Sequence, residues 1–522
     1  MNAMSEETRV LSQYDFRTKQ KYIFRTNKMR EIVGASALIT CMYDLFINTL
    51  DAQGIKVEKN YKFPAGEEKQ DINTQGWSYK VSRFIDLRYE NAVNATFDPD
   101  FSGTDLGGKA LYVGGGNLYI LWKNKETALK ANKILCQLLR EEGYSLFPAC
   151  GMAEFRDSYK KTIRELGTAF QRSKDEVPPF EPMAVLPFTR VDRKTSFPVA
   201  YYDGREYLPK ECSLKRQVND YRIRVTGNDP LNEKILDNLT EKGTDSLLAV
   251  IHIDGNNMGE RVSKTMERVN ENSYADCVKT IREFSNRIQA DFVTNPLDKI
   301  SKWLVEKQKK ARIIVAGGDD VTLVCRAIDA YAIVKEYFKA LKGSNEDKNE
   351  DDFNSACAGI CIFHSHAPFA DAYGIAEECC ENAKKKNRKH GGKNMLMDFQ
   401  YCFSGITGDL KNIRRADIAL MGRPYSYSKA EGINQIDTLE KYVDKIKKIG
   451  DDSGSDRSAV KHLSSLLLMK KDSEYDLEIR RLNSSYPNAD LPEDGKEKEE
   501  FKRYLFDIAQ VYDLWFGEEK KA

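Results

Sequence analysis

Ala316-Gly317-Gly318-Asp319-Asp320, set between Arg312-Ile-Ile-Val315 and Val321-Thr-Leu-Val-Cys325, decides how this 522-residue chain is to be read. Two short apolar runs joined by Gly-Gly read as a β-hairpin. Glycine accepts the positive φ that a tight hairpin turn demands, whereas neighbouring Asp side chains repel one another unless a cation or a proton lies between them. The pairing points to a divalent metal. Taken alone it reads more simply as a solvated hairpin tip, since Gly and Asp are ordinary turn residues.

Working outward, Ser246–Ile253 reads as a buried strand that runs into Asp254-Gly255-Asn256-Asn257-Met258-Gly259, placing a third carboxylate at a strand end. Helical stretches at 259–269 and 274–293 follow, then the hairpin, a helix over 327–341, a strand over 355–363, a helix over 368–387 and a strand over 395–399. The core of this order is β-α-β-β-α-β, the ferredoxin-like arrangement. Its first strand lies antiparallel to its third, so Asp254 is expected to face Asp319 and Asp320. Three carboxylates at one sheet edge suit Mg²⁺ or Mn²⁺ and hence phosphoryl or nucleotidyl transfer. The cationic run Asn382–Asn394 ends the last helix. It reads either as a charge-matched helix cap or, through Lys384 and Lys393, as a holder of triphosphate oxygens.

The first part of the chain repeats the order. Lys21–Phe24 reads as a short strand, Asn27–Ile39 opens a helix, and Ala110–Trp122 is a second Gly-rich hairpin. A helix (125–142), a strand (145–154) and a helix (156–173) follow. The second hairpin's turn, Gly114-Gly115-Gly116-Asn117, carries no acid and so cannot hold a metal.

The hairpin 317–320, the strand ending in Asp254–Gly259 and the block Ala376–Lys384 resemble the second palm domain of the large polymerase-cyclase subunit of type III CRISPR effector complexes. That family is itself similar to GGDEF cyclases. The resemblance implies an α+β fold with two ferredoxin-like palm domains as a pseudo-dimer, a small inter-palm subdomain and a C-terminal helical domain. The corresponding boundaries are 17–160 for a degenerate first palm with an insertion at 51–107, 161–245 for the linker subdomain, 246–404 for the catalytic palm and 405–522 for the helices. It implies ATP condensed into cyclic or linear oligoadenylate, with Mg²⁺ or Mn²⁺ on Asp254, Asp319 and Asp320 and the triphosphate on Lys384 and Lys393. Gly255, Gly317 and Gly318 would leave backbone open to that nucleotide, and Gly115 would do the same for the acceptor nucleotide. Asn257 and Asn117, beside the two turns, are candidates for base contacts. Effector subunits and RNA are the implied partners. Family members often carry a second acid where this chain has Asn256, and the family's zinc insert and HD nuclease motifs are missing from this sequence. Two other readings stay open: a GTP-using dinucleotide cyclase, and a catalytically silent nucleotide-binding scaffold or sensor.

Composition narrows the remainder. Lys plus Arg (81) nearly cancels Asp plus Glu (80), so no global field draws the protein to nucleic acid. The 11 scattered cysteines suit buried thiols, and a zinc site is not expected. With no signal peptide or long apolar span recognised, a cytoplasmic protein without membrane contact is expected. The inter-palm stretch, with its Pro-rich connector 176–182 and the basic residues Lys210, Lys215 and Arg216, reads as a small irregular subdomain, and 343–353 as a solvated loop. Four helices are expected at 436–448, 458–470, 473–482 and 496–516, either meeting other effector subunits or packing on the chain's own palms.

Overall fold

Two sheets whose four core strands follow the same order organise the chain, seen in a computed structural model. The structure describes residues 8–62, 90–176, 188–226, 230–231, 239–240, 246–346, 353–402, 405–406, 408–415, 417–450 and 454–517. The connector 177–182, residues 63–89 of the insertion 51–107 and the loop residues 347–352 lie outside the described residues. The chain divides into two compact units, one holding 1–232, 258–293 and 314–319, the other 233–257, 294–313 and 320–522.

In the first unit, strands β1 (Val10–Arg17), β2 (Gly108–Gly114), β3 (Asn117–Trp122) and β4 (Phe147–Glu154) lie in the order β2-β3-β1-β4. β1 pairs antiparallel with both β3 and β4, Val10 standing opposite Trp122 and Glu154. This corrects the expected strand at 21–24: Lys19–Ile23 is a helical turn. The strand ends at Thr18, which takes a left-handed φ of 54°. Because β1 is central, its polar Ser12 and Asp15 are buried together with its apolar residues, and no alternation survives in the sequence.

Helix α1 (Met29–Ala52) lies on this sheet through Tyr43, stacked on Phe16 at 4.9 Å, and Phe46, edge-on to Tyr14 at 5.4 Å. It corrects the expectation of no long apolar span: it is long and apolar enough to cross a membrane by composition, but 78% of its apolar window is buried inside the protein.

The expected irregular subdomain is, among the described residues, a hairpin of β5 (Val199–Tyr202) and β6 (Tyr207–Pro209) followed by helix α2 (Lys210–Thr226). Lys215 and Arg216 are buried rather than solvated. Lys215 Nζ donates to Glu211 Oε1 at 2.6 Å and to Tyr22 O at 2.8 Å, and Arg216 Nε donates to Glu31 Oε1 at 2.7 Å. Burial depresses the Lys215 pKa, and Glu211 opposes that shift. Helix α3 (Tyr274–Gln289) also belongs to this unit. It is anchored by Arg282, which donates to the carbonyls of Leu111 at 2.6 Å, Ala95 at 2.8 Å and Ala92 at 3.0 Å.

The second sheet runs β8-β9-β7-β10-β11, from β7 (Leu247–Gly255), β8 (Ala311–Gly317), β9 (Asp320–Arg326), β10 (Ala356–His364) and β11 (Leu396–Cys402), with the short strand Tyr425–Ser426 at its far edge. β7 is antiparallel to β9 and β10, while β11 runs parallel to β10. Helix α4 (Phe369–Lys389) covers β10. An additional helix, Asn295–Glu306, precedes the hairpin. Its Pro296 sits in the first turn, where a missing N–H is harmless, so this proline starts a helix instead of breaking one. Four further helices, Ile436–Lys447, Ser455–Leu468, Asp472–Ser485 and Gly495–Val511, match the periodicity of the C-terminal region.

Candidate active site

The register of β7 on β9 sets Asp254 directly opposite Asp320. Like charges at directly opposed positions destabilise a sheet, so the pair needs a counter-charge. Lys384 of α4 supplies one: its Nζ lies 2.5 Å from Asp254 Oδ2 and donates to Gly255 O at 2.8 Å, with its side chain 13% exposed. Asp320 is less well served. Its Oδ1 is buried and makes no hydrogen bond, although the side chain as a whole is 39% exposed. Burial foremost, then the charges of Asp254 and Glu377, push its carboxyl up to about 8. Beneath it, His252 Nδ1 shares a hydrogen bond of 3.0 Å with Thr322 Oγ1 and lies 3.4 Å from Asp320 Oδ1. Burial lowers the pKa of that imidazole, and Asp254 opposes the shift.

Whether Mg²⁺ or Mn²⁺ fits is answered by the donors. An orphaned buried carboxylate oxygen beside a second carboxylate is an all-oxygen site for a hard cation. Among the described residues no group of three or more His, Cys, Asp or Glu is arranged to hold a metal. A cation held here would have two carboxylates and would take its other ligands from water or substrate, the usual habit of Mg²⁺.

The residues after Asp254 serve geometry. Asn256 is 6% exposed, and its amide donates to Ser355 Oγ at 3.0 Å and to Asn394 O at 3.1 Å. Asn387 holds the same turn from the other side, donating to Asn394 O at 2.9 Å and accepting from Asn394 N at 3.1 Å. Asn257, exposed and left-handed at φ 55°, reaches Gly392 O at 3.4 Å. Lys393 is thus carried on a turn tied to the end of β7 by amides.

The glycine turns belong to the first unit, with Asp319. Gly318 has φ 66° and Asp319 does not share that sign, the signature of a II′ turn; Gly115 and Gly116, at 56° and 74°, make a I′ turn. A Cβ built on Gly318 would come within 4.0 Å of Gly115 Cα, so the two turns meet. Gly318 N donates to Gln289 Oε1 at 3.0 Å, and Tyr43 Oη donates to Gly116 O at 2.7 Å. Asn117 secures its own turn, donating to Gly115 O at 2.8 Å and accepting from Gln13 at 3.1 Å. Gln289 and Tyr43 escaped the sequence reading, because each is a lone polar group inside an apolar pattern.

Residues 247–397 match the family model for the second palm domain of Cas10/Cmr2. The crystal structure of Csm1 in T. onnurineus superposes with a TM-score of 0.52 at 13% identity, covering 98% of this chain and 70% of that one. The Csm1–Csm4 cassette in complex with cA4 gives 0.51 at 13% identity over the same shares. No curated protein sequence matches. At such identity the structural likeness is one of fold, whereas the family match falls on the segment that carries Asp254, Asp320 and Lys384. Residues 247–397 are therefore similar to the second palm domain of Cas10/Cmr2, and the chain as a whole shares its fold with Csm1.

Proposed function

We propose that this protein is a metal-dependent nucleotidyltransferase that condenses ATP into cyclic or linear oligoadenylate as a signal in antiviral defence. The observation that carries the reading is the cross-strand pair Asp254–Asp320 with Lys384 beside it, inside a Cas10/Cmr2 palm. Related Csm1–Csm4 cassettes have been crystallised with cA4 and with one ATP. In each condensation a ribose hydroxyl attacks the α-phosphorus of a triphosphate, the new phosphodiester forms, and pyrophosphate leaves with the broken anhydride bond. Asp254 and Asp320, with Asp319 adjacent in sequence, would hold Mg²⁺ or Mn²⁺, which would supply charge neutralisation and make the hydroxyl more acidic.

The chain's own groups bind and orient. Lys384 and Lys393 hold triphosphate oxygens as point charges, Gly255, Gly317 and Gly318 leave room for phosphate against backbone, and Asn257 contacts a base. Gly115 and Asn117 serve the acceptor nucleotide. Partners under this reading are effector subunits of a CRISPR complex and RNA, in the cytoplasm.

The test is pyrophosphate release from each of the four ribonucleoside triphosphates with Mg²⁺ or Mn²⁺, with products identified by mass. Asp320→Ala is expected to reduce release from ATP by roughly 10²–10³-fold or more. A preference for GTP would replace this reading with the dinucleotide cyclase. A second reading, a silent nucleotide sensor, is favoured by the absence of a three-carboxylate cluster among the described residues and by the Lys384–Asp254 pair, which already satisfies one acid. Nucleotide binding without pyrophosphate release, even with RNA present, would decide for it.

A further inference from the structure

The β5/β6 hairpin of the first unit borders a cleft of about 760 Å³, large enough for a ligand, which no part of the nucleotidyl-transfer reading uses. Its walls combine two kinds of group. Tyr202 and Tyr207 are 59% and 49% exposed with ring centroids 4.8 Å apart, and Arg190 stacks over Tyr207 at 4.1 Å. Of the twelve large hydrophobic residues exposed among the described residues, five fall between 188 and 207, so the patch is a concentration and not scatter. Arg193, Lys194 and Arg205 are exposed and make no ion pair among the described residues. The two acids of the lining are already engaged. Asp192 accepts the backbone N–H of Thr195 at 2.8 Å and of Lys194 at 3.2 Å, and Glu206 is paired with Lys28 and Arg216. The cleft therefore presents uncompensated cations next to open aromatic faces.

We propose that this cleft binds single-stranded nucleic acid, with an unstacked base on Tyr202 and phosphates on Arg193, Lys194 and Arg205. A polyanion without rings would leave the tyrosines unused, and a duplex keeps its bases stacked. A single strand uses both kinds of wall, because every base has a π-face and every linkage a charge. The chain's net charge of +1 makes this a local feature and not a consequence of overall basicity.

Fluorescence anisotropy of a labelled oligouridylate of about ten nucleotides against the full chain tests it. Tyr202→Ala is expected to weaken binding about tenfold, as removal of one stacking platform should. The triple variant Arg193→Gln/Lys194→Gln/Arg205→Gln is expected to flatten the log–log salt slope by about 2, at ~0.7 for each phosphate no longer neutralised. These side chains are exposed, so unchanged circular dichroism melts are the folding control. Equal affinity and slope in the wild type and both variants would overturn the proposal. So would competition by UMP as strong as by the oligomer, which would make the cleft a mononucleotide site, or equal competition by polyglutamate, which would make it an acidic-protein surface. Neither readout depends on turnover, so the proposal stands or falls apart from the nucleotidyl-transfer reading.

Discussion

Asp320 is held at a disadvantage that a cation would remove. Its folded pKa is raised from the ordinary carboxylate value to about 8, so between roughly pH 4 and 8 the folded state binds more protons than the unfolded state. Stability of the metal-free protein should accordingly fall as pH rises through that window, and Mg²⁺ should restore it most at the alkaline end. Thermal melts in EDTA and in Mg²⁺ across this range check the sign, and Asp320→Asn should flatten both the pH dependence and the Mg²⁺ effect. Asn256 carries a different expectation. Its amide donates to a buried hydroxyl and to a backbone carbonyl, so an acid placed there would face an acceptor it cannot satisfy. Asn256→Asp should cost about 1–3 kcal/mol in urea unfolding and should not strengthen metal binding. A gain in Mn²⁺ affinity without loss of stability would show that the position is a vacant ligand site instead of a tether.

At the scale of elements, the two sheets share a device absent from the sequence reading. The strand closing each ferredoxin-like core carries a glycine over which the next helix lies. A Cβ on Gly151 of β4 would meet Phe170 Cα at 2.7 Å, and one on Gly359 of β10 would meet Ala376 O at 1.9 Å. The Phe170 helix is Tyr159–Glu176, and Ala376 belongs to α4. Backbone cannot yield as a flexible side chain can, so Gly359→Ala should lose about 1–3 kcal/mol, measured by urea midpoint. Gly374 of α4, with open space where its Cβ would stand, should instead gain about 0.5–1 kcal/mol on Gly374→Ala, so the pair separates crowding from helix propensity. Elements were legible where one physical signal acted alone. The apolar run ending in Asp254, the Gly-Gly hairpins and the four C-terminal amphipathic helices all lie where periodicity placed them. They were hidden where burial on both faces overrode polarity, as in β1, where a proline opened a helix, as at Pro296, and where charges were paired internally, as with Lys215 and Arg216 in α2. Which unit claims 258–293 was also illegible, since that depends on Arg282 reaching carbonyls some 171 to 190 residues away in sequence.

Across the whole molecule, one strand order appears twice and its chemistry once. Both sheets place a first strand antiparallel to a third and end that hairpin in glycines. Only the second carries acids at the tip, and in the first the equivalent Asn117 is committed to holding its own turn. A tip without acids leaves the hairpin backbone intact, because a I′ turn of two glycines needs no metal to form. The composition of α1 illustrates the same separation of fold from appearance. Its apolar surface is already covered by aromatic contacts with β1, so the protein should remain in the supernatant when membranes are sedimented; recovery in the pellet would mean that this packing gives way. The asymmetry of the tips leads to a sharper expectation. Two opposed carboxylates, one with an orphaned oxygen, would make one carboxylate-dependent cation site among the described residues. Mn²⁺ titration followed by electron paramagnetic resonance should therefore saturate at one strong site. Asp320→Asn should abolish it, and Asn117→Ala should leave it unchanged. Lys384→Gln should tighten it, because Asp254 is then freed of the ammonium that competes with the metal for its oxygen. A second strong site surviving Asp320→Asn would give Asp319 a metal of its own, and the two-carboxylate account of this palm would fail.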